Sequence, residues 1–167
     1  MPDKETLERA QEDAREGKAP STQAGEFVKE EMDHIREGKH GAANTRQAIA
    51  IGLSKARRAG VKLAPPKKGT TSAATRKKAA SDSRKGRSGA KKKVSAKRSR
   101  AISAVLKREG HSAASRSALS KQAKTAAKKR GSASRTAAAK KAVRTKGAAG
   151  RSQAAKKAAR TRARRSR

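Results

Sequence analysis

From Lys67 to Arg167 the chain carries 35 Lys and Arg residues, two acids (Asp82 and Glu109) and no proline. The sizeable apolar residues of this stretch are Val94, Ile102, Val105, Leu106, Leu119 and Val143. So few apolar side chains bury too little surface to offset the entropy of ordering a chain this long. Like charges repel along it, and a polyanion relieves that repulsion. Composition therefore predicts a largely disordered basic tail with short helices induced on binding. The expected fold class is mainly α: a small helical hairpin followed by that tail.

Charge divides the chain into three. Residues 1–37 hold eleven of the thirteen acids and six basic residues; residues 38–66 hold six basic residues and no acid; the tail is net +33 of a total of +34. An acidic head thus precedes a basic tail, and the two can attract. With no cysteine there is no disulfide framework. The single aromatic residue, Phe27, leaves no stacking platform for splayed bases. The charged N-terminus does not read as a secretory signal, and the longest apolar run, residues 48–53, is too short to span a bilayer. The expected setting is cytoplasmic and nucleoid-associated, with no membrane partner.

Periodicity places three helices ahead of the tail. Residues 3–16 suit a short helix closed by Gly17, within an acidic segment over residues 1–19. Residues 21–37 suit a second, with Ser21 as N-cap, Gly38 after its end, and Ala24, Phe27, Val28, Met32 and Ile35 on one face. Glu31 falls on that face and calls for a basic partner, Lys55 or Arg46. Residues 45–59 suit a third, with Asn44 as N-cap and a stripe of Ala48, Ile49, Gly52, Leu53, Ala56 and Ala59. Gly52 would let another helix approach, and Gly60-Val61 fits a Schellman ending. The hairpin, residues 20–66, is small enough to need the first helix, a second copy or a ligand.

The tail echoes the hairpin. Arg36-Glu-Gly-Lys-His-Gly-Ala-Ala-Asn has a counterpart in Arg108-Glu-Gly-His-Ser-Ala-Ala-Ser. Residues 95–131 read either as a degenerate second hairpin or as chance similarity in biased sequence. Farther on, Ala138-Ala-Lys-Lys-Ala-Val-Arg-Thr-Lys recurs sixteen residues later as Ala154-Ala-Lys-Lys-Ala-Ala-Arg-Thr-Arg. Gly131, Gly147 and Gly150 separate these units.

The stretch Arg46-Gln-Ala-Ile-Ala-Ile-Gly-Leu-Ser-Lys-Ala-Arg-Arg-Ala-Gly60, preceded by Glu37-Gly-Lys-His-Gly, resembles DUF6496, a family of small bacterial proteins of unknown function. The resemblance covers residues 21–66, with Gly52 where the family often has Ala. It implies a bacterial or phage setting and no particular activity. The tail is similar in composition to the Lys- and Ala-rich tails of linker histones, without their Ser-Pro-Lys-Lys motif.

Catalytic signatures are missing from the sequence. No serine sits in a Gly-x-Ser-x-Gly elbow, and no Gly-Lys pair has the flanks of a Walker phosphate loop. His34 and His40 lie near Glu30, Asp33 and Glu37, where a solvated helix end is the plainer reading than a metal site. The chain is expected not to be an enzyme and to need no cofactor and no metal.

The positive signal is the recurrence of basic clusters, whose chemistry is phosphate neutralisation. The candidate nucleic-acid contacts are Arg46, Arg57 and Arg58 on the third helix; Lys67, Lys68, Arg76, Lys77 and Lys78; Lys91, Lys92 and Lys93; Lys97 and Arg98; Lys128, Lys129 and Arg130; Lys140 and Lys141; and Lys156, Lys157, Arg160, Arg164 and Arg165. The leading expectation is a histone-like, sequence-independent DNA-binding protein that compacts or bridges double-stranded DNA, with self-association through the hairpin as an option. An RNA-binding or ribosome-associated protein, and a protein adaptor tethered to nucleic acid by its tail, are the alternatives.

Overall fold

The computed structural model describes residues 2–89 and 95–165, with the backbone alone at Thr145, Lys146 and Arg165. The helices are α1 (Lys4–Arg15), α2 (Pro20–Arg36), α3 (Thr45–Arg58), α4 (Ala73–Ser88), α5 (Ala96–Arg108), α6 (Arg116–Lys129) and α7 (Gly131–Arg165), with a 3-10 turn at Ser112–Ala114 between α5 and α6. Among the described residues all regular structure is helical. Two compact units divide the chain, Met1–Gln122 and Ala123–Arg167.

Local chemistry sets the ends of the first three helices. Each closes in a Schellman turn on a glycine with positive φ: Gly17 (71°), Gly38 (75°) and Gly60 (96°). At the last of these, Gly60 N–H donates to Arg57 O (3.2 Å) and Val61 N–H to Ala56 O (3.1 Å). Asn44 caps α3, its side chain accepting from Gln47 N–H at 3.0 Å. Helix α2 begins one residue earlier than expected. Pro20 takes the first helical position and Ala19, rather than Ser21, the cap, as suits a residue with fixed φ and no N–H to leave unpaired.

Two small cores flank the α2–α3 contact. One gathers Ala10, Ala24, Phe27 and Ala56, with Leu7, Leu53, Val61 and Leu63 packed on it. The other gathers Met32, Ile35, Ala42, Ala48, Ala113 and Ala114, with Val28, Ile49 and Leu119 around it. Between them the helices touch at Gly52, where a Cβ would stand 2.7 Å from Val28 Cα.

These cores overturn the expectation of a small hairpin trailed by a largely disordered tail. Helices continue through the tail to Arg165, and tail residues complete the hairpin. Ala113 and Ala114 are buried in its second core. Thr45 Oγ1 donates to Ala113 O (2.7 Å) and Arg36 Nε to Ala114 O (3.1 Å). Gly41 N–H donates to Leu106 O (2.8 Å) and Ala42 N–H to Gly110 O (3.2 Å). The two echoing segments, 36–44 and 108–115, thus lie against each other.

Helix α4 docks on α3 by similar means: Ala79 and Asp82 are buried, and a Cβ on Gly86 would meet Arg57 O at 2.0 Å. Counting large apolar residues misses this packing, because alanine and glycine bury little area yet let backbones come close. Ala, Lys and Arg are also strong helix formers.

In the second unit, α7 lies open to solvent over nearly its whole length. It breaks at Gly147 (φ 61°, ψ −177°). The repeats at 138–146 and 154–162 fall on either side of that break, whereas Gly150 remains helical.

Candidate nucleic-acid interface

Most of the predicted contacts are exposed. Lys67, Lys68, Lys77, Lys78, Lys97, Arg98, Lys128, Lys129, Arg130, Lys140, Lys141, Lys156, Lys157, Arg160 and Arg164 are all exposed, and Arg76 is half-buried. Lys91, Lys92 and Lys93 lie outside the described residues, as does the side chain of Arg165. Arg84, Lys85, Arg87, Arg100, Lys107 and Arg108 are exposed cations too, outside the clusters predicted from the sequence.

The three arginines of α3 fare differently. Arg46 is exposed, with Nε 3.3 Å from Gln122 Oε1. Arg57 is buried: its guanidinium turns back onto the carbonyls of Leu63 and Ala64, each at 3.4 Å. Burial pushes it below the usual arginine range. It closes the loop after α3 and is withdrawn from any phosphate.

Arg58 is exposed but committed to Asp82, with Nε 2.9 Å from Oδ1. Ser54 donates to Asp82 Oδ2 at 2.7 Å. Burial would push this carboxyl up, yet the bonds from Ser54 and Arg58 and the charge of Lys78 hold it below the ordinary value. One of the tail's two acids is therefore a structural anchor for α4, set against Arg58 and, at 4.0 Å, Lys78.

The acidic head is likewise committed locally. Arg9 pairs with Glu5 and with Glu26 (2.9 Å), and Lys18 with Asp13 and Glu16 (2.7 Å each). Lys55 lies 3.0 Å from Glu30 Oε1 and 2.8 Å from Glu31 Oε2, which supplies the basic partner that Glu31 requires. Burial lowers the affinity of Lys55 for its proton, but the two carboxylates outweigh it and hold the ammonium above its usual range. For Glu30, burial acts upward and is outweighed by bonds from Lys55, the Asp3 N–H and Thr6, so its carboxyl lies below the ordinary value.

This α2–α3 pair, with its buried carboxylates and its close contact at Gly52, coincides with a sequence family. Residues 15–68 match DUF6496, a family of unknown function. The DUF6496 segment takes in α2, α3 and the loop that Arg57 closes, and leaves out α1, α4 and the 3-10 turn that pack on it. No curated protein matches the chain, and no solved structure does. Among the described residues no helix is long and apolar enough to cross a membrane.

Proposed function

We propose that this protein binds double-stranded DNA without sequence preference, as a histone-like, nucleoid-associated protein that neutralises phosphate and bridges or compacts duplexes. The observation that carries this reading is the state of α7. Its described side chains before Arg165 are nearly all exposed, and neither of its two repeats contains a carboxylate. A helix without an apolar face gains nothing from docking on a protein core. Adjacent cations weaken it, and phosphates would remove that penalty.

Cations on several sides of one helix suit contact with more than one duplex. Phosphate contact alone carries no base information, which fits the scarcity of aromatic residues. The DUF6496 segment would serve as the folded head that carries this arm.

Salt-dependent binding of the full-length protein to duplex DNA tests the reading. If about ten phosphates are engaged, log K falls against log salt with a slope near −9. Replacing Lys140, Lys156, Lys157 and Arg160 by Gln should make the slope shallower by about 3 to 4, equally on unrelated sequences. A parent slope shallower than about −3, or one strongly preferred sequence, would overturn the proposal. Association in lysate that is lost with RNase and kept with DNase would favour the RNA reading instead.

A further inference from the structure

A second constellation lies apart from the basic surface, at the C-terminal end of α2. Glu31 and His34 are three residues apart and so share a helix face. His40 returns over that face because the chain reverses at Gly38. One ligating atom from each of the three lies within 4.8 Å of the others. The two imidazoles stand edge to face, with centroids 6.3 Å apart.

Three features of this cluster point to a cation. Glu31 is fully buried, and neither of its oxygens makes a hydrogen bond among the described residues. Its charge contacts are Lys55 Nζ, 2.8 Å from Oε2, and His40 Nε2, 3.4 Å from Oε1. A carboxylate buried in this way needs compensation, and Lys55 serves only one side of it.

The second feature is the tautomer of His40. Its Nδ1 lies 3.1 Å from Gly41 O. A carbonyl oxygen only accepts, so Nδ1 carries the proton, and in the neutral ring Nε2 holds a lone pair. Two lone pairs then face each other across 3.4 Å. In a tetrahedral site with bonds of about 2.0–2.1 Å, neighbouring donor atoms stand about 3.4 Å apart.

The third feature is Asp3, whose Oδ2 lies 3.0 Å from His34 Nε2. A carboxylate behind a ligating histidine fixes its tautomer and raises its basicity. With the proton of His34 on Nε2 and held by Asp3, Nδ1 carries the lone pair.

We propose that Glu31, His34 and His40 bind one divalent transition-metal ion of the zinc class, for which imidazole and carboxylate are suitable ligands. Glu31 ligates through Oε1 and keeps Lys55 on Oε2, Asp3 supports His34, and water completes the coordination. The ion fixes the loop after α2. That loop carries the bonds from Gly41 and Ala42 to Leu106 and Gly110, so metal binding secures the tail segment against the hairpin. The same geometry without metal requires a proton between Glu31 and His40, and the test separates the two.

Untagged full-length protein is titrated with cobalt(II) and then zinc(II), followed by visible absorption and calorimetry. The expected result is one equivalent of cobalt with the intense bands of a tetrahedral site, displaced by zinc, and a higher melting temperature with zinc. His40→Ala should weaken zinc binding by more than tenfold and abolish the melting shift. Asp3→Asn should weaken it by about tenfold. His111→Ala should leave both unchanged. Cobalt that keeps the pale spectrum of its aqueous ion, or zinc binding equally sensitive to His111→Ala and His40→Ala, overturns the assignment. The cobalt spectrum of the unaltered protein decides the matter if His40→Ala does not fold.

Discussion

Helix α3 and helix α7 are both rich in Ala, Lys and Arg and end in opposite states, though α3 adds Ile49, Ile51 and Leu53 where α7 has only Val143. Ala48, Gly52 and Ala56 of α3 are buried, whereas Ala138, Ala139 and Ala142 of α7 are exposed. Alanine makes a core only where a neighbour supplies bulk and counter-charge. Helix α2 supplies both to α3, through Phe27 and Ile35 and through the carboxylates that meet Lys55. Acids on α2 and a base on α3 let that pair neutralise part of its own charge. The sequence of α7 holds no acid with which to do the same.

Truncating one side chain in each region gives the largest expected contrast. Phe27→Ala should destabilise the first unit by about 3–5 kcal/mol, read from chemical denaturation. Val143→Ala, at a position 44% exposed, should change stability by no more than about 0.5 kcal/mol. Similar effects at both sites would mean that α7 has a core after all.

A smaller effect is expected where α4 approaches α3. Gly86→Ala puts a methyl group against Arg57 O. The clash should cost about 1–3 kcal/mol, of which the better helix propensity of Ala returns up to about 1 kcal/mol. Hydrogen exchange should show α4 losing protection while α2 keeps it. Uniform loss across both helices would instead make the hairpin and α4 a single cooperative block.

The smallest effect concerns acid. The carboxyls of Asp82 and Glu30 are held below their ordinary values in the folded chain. The stability they confer is complete above the unfolded carboxyl range, about pH 4, and is lost as pH falls through the lower folded values. Protection factors in α2 and α4 should therefore decline below about pH 4. The signal of α7, whose sequence contains no carboxylate, should not follow. An acid-induced change confined to α7 would reverse the comparison.

The sequence read these regions unequally. Helices α1 to α3 were visible in the 3.6-residue period, the Asn44 cap and the three glycine endings, and one acid on an apolar face called for Lys55 or Arg46, of which the structure pairs Lys55 with Glu31. The docking of α4 and of residues 112–114 was hidden, because its signal is alanine, glycine and one aspartate, which composition files under disorder. Arg57 was misplaced for a related reason: a cation in the last turn of a helix looks solvated, and nothing local reveals that the chain comes back to offer it two carbonyls. His34 and His40 were seen near Glu30, Asp33 and Glu37 in sequence and read as a solvated helix end, but the burial of Glu31 and the carbonyl behind His40 exist only in three dimensions.

The plug formed by Ala113 and Ala114 separates two boundaries that usually coincide. The stretch that matches a known family runs over residues 15–68. The stretch that closes its own core also needs Leu7 and Ala10 on one side and Ala113 and Ala114 on the other. The segment that matches the family is therefore not the segment that folds as one. Transplanted alone, residues 15–68 would arrive with two open seams, and the recipient chain would have to bring its own surrogates for a leucine-bearing helix and a pair of alanines.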